Sequence, residues 1–575
     1  MYIGKLFFTL GAILALSFSG FGQKGKGVPQ VVVPRIEQMP ALPTPYFLKD
    51  WRETALGFDA YVYNFEEKGP FMPLIWLDPN TRNSGSSTFG HYTVIGDVRQ
   101  GPLKNNGEAH EALAVLGSLL GGTLVGIDKS KQHGMNFVRM AQNYFNTDNG
   151  WNIVMNFTTP SAHIGGGYGN DGWYDTYTNV LFYALGHHYP EEQGYRAILR
   201  KIADQFYRAD SIMGDNYSHT FFDFGKMVPG KNHVPAQEDM AAGYAYILFS
   251  AYQLFGEERY LRAARHALQV LLQQRENRYY EVLMPFGAYL AARMNAEHGD
   301  SMDVLRLLNW SFDGDATNRE GWGAVVGRWG EYDVHGIIGS TVHNGGYGFL
   351  MNTFDQAFPL VPMVRYDQRF ARAIGRWMLN AANAARLFYP FDIPDSLQAN
   401  PTLKEITRNV IAYEGLIKKA AYPGFDGRTP FAQGDGPLWT SGMPPQSMFS
   451  LYGSGHAGIF GSIIRKTNVE KILQLNCLPT DLFRNGKAYP TYLYYNPFSE
   501  EKTVKVETGN APVQVYDAVR QRIVAKKAAG TAQIRIPANE AAVIVLIPHG
   551  AKLEANGHVL AANGVPVDFR YGLNP

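Results

Sequence analysis

The strongest constraint on the fold is a set of segments, between about residues 106 and 464, in which apolar residues recur every three or four positions. That spacing is typical of amphipathic helices. The segments come in consecutive pairs, and the connection within a pair is short, as at 187–191 and 256–258. The sequence therefore predicts a series of helical hairpins. The predicted helices are 108–120, 135–144, 176–185, 195–209, 236–254, 259–273, 285–296, 346–358, 369–387 and 447–464.

The connections between pairs are long and rich in Gly, Trp, Tyr and polar residues. They cover 146–175, 213–237, 313–344 and 422–455. Helical hairpins stacked side by side place their short turns at one end and their long connections at the other. We therefore expect the chemically rich connections to converge on one face of a ring of hairpins.

Both ends of the chain differ from this helical region. Residues 1–22 carry one charge, Lys5, ahead of an apolar run and small residues, which is the pattern of a secretory signal peptide. Residues 23–104 mix β-branched and aromatic residues with turn signals, and they predict strands and irregular structure. After Gly486 the apolar period shortens to that of strands, and Asn-Gly pairs at Asn556 and Asn563 suit hairpin turns. We predict a signal peptide (1–22), a strand and loop segment (23–104), a helical catalytic domain (105–486) and a β domain (487–575), in a protein exported to the periplasm or outside the cell.

The composition of the chain argues against several classes of partner and cofactor. The 52 Lys and Arg residues balance 51 Asp and Glu residues, so bulk charge does not favour a nucleic acid or an anionic membrane as partner. No segment after residue 22 is long enough to predict a membrane span. The one cysteine, Cys477, excludes an internal disulfide. Zinc, Walker and dinucleotide motifs are absent from the sequence, so we expect no redox cofactor and no obligatory metal, while a calcium ion held by carboxylates stays open.

The first candidate site lies in a glycine-rich connection. Asp171 and Asp175 are four residues apart at the start of a predicted helix, a spacing that places both carboxylates on one face of its first turn. Trp173 and Tyr174 lie between them. Either carboxylate could equally be a helix cap, because Asp is common at helix starts.

A second helix start carries two adjacent acids. Glu238 and Asp239 lie at the start of the predicted helix that contains Tyr244 and Tyr246. Capping is again the alternative to a role in chemistry.

A third group alternates along the chain. Glu331, Asp333 and His335 are spaced as on a strand or an extended loop, which would aim them to one side. Trp322 and Trp329 lie close by in the sequence. Core packing does not explain three titratable groups beside indole rings, so we predict a functional role.

Two histidine motifs and one acidic loop complete the candidates. His343 and Asn344 lie in Thr-Val-His-Asn-Gly-Gly-Tyr, and His456 lies in Tyr-Gly-Ser-Gly-His-Ala-Gly, both near predicted helix starts. Asp435 and Trp439 lie in Gln-Gly-Asp-Gly-Pro-Leu-Trp. A single histidine is more often structural, but both motifs are placed at the loop-rich end.

Carboxylates interleaved with Trp and Tyr suit a carbohydrate ligand. Sugar rings stack on aromatic side chains, and their hydroxyls need planar hydrogen-bonding partners. Cleavage of a glycosidic bond then needs a carboxylic acid to protonate the leaving oxygen and a carboxylate to activate water or attack directly. We predict that Asp171 or Asp175 pairs with Glu238, Asp239, Glu331 or Asp333 as acid and base. The predicted substrate-binding residues are Trp173, Tyr174, Trp322, Trp329, His335, His343, Asn344, Asp435, Trp439 and His456.

With these motifs the chain resembles the six-hairpin, (α/α)6-toroid glycosidases of secreted bacterial carbohydrate enzymes. The resemblance covers roughly residues 108–478 and rests on the paired helices and three motifs: Gly-Asn-Asp-Gly-Trp-Tyr-Asp at 169–175, Gln-Glu-Asp at 237–239 and Trp-Gly-Glu-Tyr-Asp-Val-His at 329–335. It implies a mainly α fold, an (α/α)6 toroid of helical hairpins with a small N-terminal β-containing segment and a C-terminal antiparallel β domain. By analogy, function lies in the loop-rich mouth.

Two other functions remain open at this stage. A polysaccharide lyase needs a group to neutralise a uronate and a base for the C5 proton, and His343, Asn344, Tyr347, Tyr452 and His456 could supply them. The excess of carboxylates favours hydrolysis, because negative charges would repel a polyuronate. A glycan-binding protein without turnover rarely needs so many titratable groups. The sequence leaves the sugar, the linkage and the oligomeric state open.

Overall fold

The computed structural model describes residues 27–81, 83–96, 111–158, 162, 164–165, 169–421, 423–434, 449–484 and 487–573. The predicted signal peptide, 1–22, lies outside these residues. Within them, helices and antiparallel sheets are mixed, so the expectation of a mainly α protein is met only in part. No helix in the described part of the chain combines the length and the apolar character needed to cross a membrane.

The described helices fall where the apolar spacing predicts them, with additions. They are α1 Pro34–Glu37, α2 Trp51–Val62, α3 Ala112–Leu124, α4 Phe137–Met140, α5 Gly172–His188, α6 Tyr195–Met213, α7 Met240–Phe255, α8 Glu258–Leu272, α9 Met284–His298, α10 Val304–Phe312, α11 Leu350–Asp355, α12 Ala357–Tyr366, α13 Ala371–Ala384, α14 Leu451–Gly455 and α15 Ala457–Ile463.

Alternate helices pack side by side in sequence order. Helix α3 contacts α5, α5 contacts α7, α7 contacts α9, and α9 contacts α12. The succession continues from α12 to α15, and both α14 and α15 contact α3 again. These helices are buried on nearly all sides, whereas α6, α8 and α10 bury only one stripe of residues. The partially buried helices therefore lie outside the contact series, each packed on a neighbouring buried helix.

A five-stranded sheet joins distant connections at one end of these helices. Its strands follow the order β14-β13-β11-β10-β7 and all pair antiparallel. Strands β7 and β10 lie between α10 and α11, while β13 and β14 lie between α13 and α14. The sheet therefore brings two long connections together. The strands are β7 Trp322–Ala324, β10 Ile338–Ser340, β11 Tyr347–Phe349, β13 Gly415–Ile417 and β14 Phe431–Gln433.

Short two-stranded pairs occupy most of the other connections. They are β1 Ile75–Thr81 with β2 Ser87–His91, β3 Phe145–Asn146 with β4 Ile153–Val154, β5 Phe221–Asp223 with β6 Val228–Gly230, β8 Arg328–Trp329 with β9 Tyr332–Asp333, and β12 Ala412–Tyr413 with β15 Phe449–Ser450.

The C-terminal strands form two antiparallel sheets. A six-stranded sheet follows the order β16-β17-β18-β21-β19-β20, and a three-stranded sheet follows β22-β23-β24. Two of these strands, β16 and β17, precede residue 486, so this sheet starts earlier than the predicted boundary. Helix α13 packs on β18 and β21, which gives the helices and the sheet a shared core. The strands are β16 Ile464–Lys466, β17 Leu473–Asn476, β18 Thr491–Tyr495, β19 Lys502–Asp517, β20 Arg522–Ile536, β21 Ala541–Pro548, β22 Leu553–Asn556, β23 Val559–Ala562 and β24 Val565–Asp568.

The prediction for the N-terminal segment is met only in part. The sequence predicts strands and irregular structure over 23–104, and β1 and β2 lie there, but α2 is a 12-residue helix that the sequence does not predict. The Asp50 carboxylate caps it by accepting a 3.1 Å hydrogen bond from the backbone NH of Glu53. Trp51, Ala55 and Phe58 are buried at helical spacing, and α2 packs on α15. Tertiary packing therefore stabilises a helix here, although the aromatic residues of this segment favour a strand.

Candidate functional site

A cavity of about 460 Å³ opens where the five-stranded sheet meets the buried helices. Its lining residues precede the starts of α7, α9, α11 and α14, which is the end where the long connections meet. We call it the main cavity. It is lined by Pro235, Tyr280, Asn318, Arg319, Glu320, Trp322, Ser340, Val342, His343, Tyr347, Glu414 and Gln433.

One side of the main cavity is built around Glu281, just before α9. Its carboxylate forms an ion pair with the guanidinium of Arg319 and accepts a 3.2 Å hydrogen bond from the amide of Asn352. The indole NH of Trp322 donates a 2.8 Å hydrogen bond to the backbone oxygen of Glu281. The Arg319 guanidinium also lies 4.0 Å from the centre of the Trp322 ring. These contacts hold the fully buried Trp322 with its ring against the guanidinium of Arg319, and both residues are part of the cavity lining.

The facing side carries a carboxylate held by a phenol. Glu414 lies between β12 and β13, is 3% exposed, and its Oε1 accepts a 2.6 Å hydrogen bond from the hydroxyl of Tyr347. A short bond of this kind stabilises the charged form of a carboxylate. His343 is exposed at the cavity and meets the Tyr347 ring edge to face, with ring centres 5.9 Å apart.

One predicted carboxylate, that of Glu238, lies one hydrogen bond behind the lining, and Asp171 is bonded to Gln237, which is not a lining residue. Glu238 is 4% exposed and accepts a hydrogen bond from the amide of Asn318, which lines the cavity. Asp171 begins α5, is fully buried, and accepts a 2.5 Å hydrogen bond from the amide of Gln237. Burial raises the pKa of Asp171 to about 6, against the opposing effect of the Gln237 hydrogen bond. Asp171 can therefore hold or release a proton near neutral pH.

Asp175 and Asp239 are buried deeper. Neither carboxylate oxygen of Asp175 has a hydrogen-bond partner among the described residues, and burial next to Asp171 raises its pKa well above the usual range. Asp239 accepts a 3.0 Å hydrogen bond from the backbone NH of Tyr280. Burial raises the pKa of Asp239 to about 8, and the charge of Glu238 adds to that shift. Burial therefore favours the neutral form of both carboxyls, and neither lines the main cavity.

The alternating group at 331–335 lies outside the main cavity. Strands β8 and β9 form a tight hairpin that leaves Glu331 exposed at its turn. Asp333 is buried and bonded to His335, with 2.6 Å between Oδ1 and Nδ1. Trp329 is buried with its ring against Gly346, behind the segment that carries Tyr347. The hairpin therefore supports the cavity segment from behind, and the expected single face of three titratable groups does not form there.

His456 lies inside the helical core. It is 1% exposed, and its Nδ1 is 2.6 Å from Oδ1 of Asp355, which is fully buried at the end of α11. Trp173 is also buried, with its ring centre 4.0 Å from that of Tyr174. These positions make packing partners of His456 and Trp173 rather than parts of the cavity lining.

Some of the remaining predicted residues line the main cavity and others do not. Trp322 and His343 line the main cavity. Asn344 lies in a short 3₁₀ turn beside His343. Asp435 and Trp439 lie outside the described residues.

Three residues at or beside the cavity are missing from the predicted site. Arg319 lies in the long connection 313–344, whereas Glu281 and Glu414 lie outside the four glycine-rich and aromatic-rich connections, and no glycine-rich motif marks their positions. The sequence offers one indication for Glu281: like Asp171 and Glu238, it lies near the start of a predicted helix. In the described part of the chain, no group of three or more His, Cys, Asp or Glu side chains is placed to hold a metal ion.

Comparisons with known proteins give weak likenesses. No protein-family model matches the chain, and no curated protein matches it. One similar solved structure is Ara127N-Se, a GH127 β-L-arabinofuranosidase from Geobacillus stearothermophilus T6, with 12% identity, a TM-score of 0.28, and coverage of 79% of this chain and 75% of that one. Another GH127 β-arabinofuranosidase has 11% identity, a TM-score of 0.33, and coverage of 79% and 74%. Likeness at this level establishes neither a shared fold nor a shared activity.

Proposed function

We propose that this chain is a glycoside hydrolase that binds a saccharide in the main cavity and cleaves a glycosidic bond with two carboxyl groups. The observation that carries the proposal is the buried Glu414 carboxylate, held by Tyr347 at a cavity whose lining includes the buried aromatic residues Trp322 and Tyr280. Aromatic faces bind sugar rings, and a fixed carboxylate beside them can act on the anomeric centre or on water.

Glu414 is the proposed base or nucleophile. It lines the cavity, and the Tyr347 hydroxyl stabilises its charged form. The proposed acid is Glu238, which contacts the lining residue Asn318, with Asp171 as the other candidate because its pKa is raised to about 6. Glu331 and Asp333 are not part of this proposal, because one is exposed at a turn and the other is bonded to His335.

The proposal includes an (α/α)6 toroid as the scaffold. Six buried helical positions support it: α3, α5, α7, α9, the pair α11 and α12, and the pair α14 and α15 contact one another in a series that returns to α3. Helices that start at one end of such a ring direct the residues of their first turns to a common opening. Export from the cytoplasm is also proposed, on the signal-peptide pattern of residues 1–22.

One observation favours polysaccharide lysis as a second candidate. Arg319 and His343 line the same cavity as Tyr347, and such groups can neutralise a uronate and remove its C5 proton. Two contacts weigh against it. Arg319 is already paired with Glu281, and Tyr347 donates its proton to Glu414, which leaves it a poor base.

The test is a product assay on a panel of neutral and acidic polysaccharides and oligosaccharides. A hydrolase releases new reducing ends without the ultraviolet absorbance of an unsaturated uronide, whereas a lyase produces that absorbance. Glu414→Gln and Glu238→Gln should each lower turnover at least a hundredfold, since general acid and base groups contribute about 10² to 10⁴. Glu191→Gln, an exposed glutamate in the turn between α5 and α6, is the matched control. Full turnover by Glu414→Gln would remove the proposed base.

A further inference from the structure

A second cavity, of about 250 Å³, lies at the far end of the helices, where α9 and α12 end against the three-stranded sheet. We call it the junction cavity. Its lining includes His298 at the end of α9, Arg365 near the end of α12, and Arg484 and Lys487 from the segment that leads into β18. Val559, Pro566 and Phe569 of the three-stranded sheet and the residues after it supply an apolar side.

The cations at the junction cavity outnumber the carboxylates. Arg365 is paired with Asp481, and Arg293, just behind the lining, is paired with Glu297 at 3.0 Å. Among the described residues, Arg484 and Lys487 have no carboxylate within ion-pair distance. Two positive charges are therefore left without a counter-ion on the protein.

Contacts within the fold satisfy only some of the hydrogen-bond donors of Arg484. Its Nη1 donates to the backbone oxygens of Leu478 and Asp481, at 3.0 and 2.8 Å. Its Nε is buried and has no hydrogen-bond partner among the described residues. Burial lowers the pKa of Arg484, and the positive charges of Arg365 and Arg293 add to that shift. An anion in the cavity would relieve both the unmet hydrogen bond and the repulsion.

The helix dipoles do not supply enough negative charge to balance this excess. Helices α9 and α12 end at the junction cavity, and each helix C-terminus carries about −0.5 charge. Two such ends offset about one of the two unpaired cations. A net positive potential therefore remains in a partly enclosed space, where it is screened less than on an open surface.

We propose that the junction cavity binds a small ligand through an oxyanion group, either a free sulfate or phosphate ion or the acidic group of a sugar. The positive charge of the cavity attracts the oxyanion, and Arg484 and Lys487 are the residues that contact it. The ring of Phe569 lies 5.0 Å from that of Tyr366 at the same cavity, so an aromatic surface is available to the body of an acidic sugar.

This site is separate from the main cavity. The two lie at opposite ends of α9, whose 15 residues span about 22 Å. The inference therefore does not depend on the proposed hydrolase activity, and either can fail without the other.

The test is calorimetric titration of the full chain in low-salt chloride buffer with three probes: inorganic sulfate, D-galacturonate and neutral D-galactose. We expect saturable binding of at least one of the two anions, weakened at least tenfold by Lys487→Gln and by Arg484→Gln. Lys487 is exposed, so Lys487→Gln tests the site even if loss of Arg484 disturbs the turn that it supports. Lys527→Gln, an exposed lysine on β20, should bind like the unaltered chain.

The probes also separate the sources of the anion. Equal or tighter binding of sulfate indicates a free oxyanion, and tighter binding of galacturonate indicates an acidic sugar. The inference is overturned if neither anion binds, if galactose binds as well as galacturonate, or if both variants bind the anion as the unaltered chain does. Turnover at the main cavity should be unchanged in Lys487→Gln.

Discussion

The hydroxyl of Tyr347 donates a 2.6 Å hydrogen bond to Oε1 of Glu414, although the two residues are 67 positions apart. The bond is possible because β11, which starts with Tyr347, pairs with β13 immediately after Glu414. The sheet therefore sets the position of the carboxylate, and the phenol gives it a hydrogen-bond donor. Glu414 and Tyr347 form one unit at the main cavity, and altering either should affect the other.

Tyr347→Phe tests that unit. The change removes the donor to Glu414 but keeps the ring that packs in the sheet. A hydrogen bond to a charged group contributes about 1.5 to 3 kcal/mol, so kcat/KM should fall about 10- to 150-fold. The measurement is turnover of the substrate identified by the polysaccharide panel, with Tyr332→Phe in the outlying hairpin as the control. Unchanged kcat/KM in a folded Tyr347→Phe protein would contradict the proposed role of the pair.

Removing one charge of the ion pair between Arg319 and Glu281 should lower stability more than removing both charges. The Glu281 side chain is 5% exposed and that of Arg319 is 32% exposed. Arg319→Met leaves a buried carboxylate without its cation and should lower the free energy of unfolding by about 3 kcal/mol, the lower limit for a buried pair, since Arg319 is partly solvated. The double variant Glu281→Met with Arg319→Met should recover part of that loss, because no charge is left buried. Urea unfolding of the single and double variants measures the coupling, and strictly additive losses would show that the two groups do not interact.

Asp239 should make the protein less stable as the pH rises from about 4 to about 8. An aspartate in the unfolded chain ionises near pH 4, whereas burial raises the pKa of Asp239 to about 8 in the folded protein. Between these values the native state keeps a proton that the unfolded state has lost. The free energy of unfolding therefore falls with increasing pH, by up to about 1.4 kcal/mol per pH unit, and stops falling above about pH 8. Asp171, whose pKa is raised to about 6, contributes with the same sign below pH 6.

Asp239→Asn is expected to flatten this dependence between pH 6 and pH 8. Asparagine is neutral at every pH and can still accept the hydrogen bond from the backbone NH of Tyr280. Urea unfolding at several pH values measures the slope, with the exposed residue change Asp426→Asn as the control. The same slope in the variant and the unaltered chain would mean that Asp239 is already ionised at neutral pH.

The helices were predictable because their signal is local. Three- and four-residue spacing of apolar side chains appears within each segment, and it placed α5 to α9 without any knowledge of what they contact. Helix α2 was missed because its aromatic residues favour strands, and only packing on α15 makes the helix stable. Local patterns therefore identify helices whose own sequence favours the helical conformation. They fail where contacts with other elements determine the secondary structure.

The site was only partly predictable, since the sheet that forms it pairs residues far apart in sequence. Asp171 and Glu238 lie at helix starts, a position that the sequence marks, and Glu238 is bonded to the cavity-lining residue Asn318. Glu414 and Tyr347 meet only through the register of β11 and β13, which no local pattern encodes. Glu331 and His335 were placed by their alternation, but a two-residue turn at Gly330 folds that stretch back on itself, away from the cavity.

Glycines of α3 and of the pair α14 and α15 are in close contact where the series of buried helices returns to α3. A Cβ added at Gly121 of α3 would overlap the backbone oxygen of Gly455, and one added at Gly458 would overlap the backbone oxygen of Gly121. Backbone atoms inside packed helices do not move aside as a flexible side chain does. Gly121→Ala should therefore lower the free energy of unfolding by about 1 to 3 kcal/mol, even though alanine favours a helix over glycine by about 1 kcal/mol.

Urea unfolding measures this effect, and Gly85→Ala is the matched control, because an added Cβ there meets no atom within 4 Å. The control should change stability by less than about 0.5 kcal/mol, as surface substitutions do. Helix α3 contacts both α5 and the pair α14 and α15, so this glycine contact lies where the series of buried helices returns to α3. A Gly121→Ala protein as stable as the unaltered chain would mean that the ring is open at this point, and the toroidal scaffold proposed for the main cavity would lose its support.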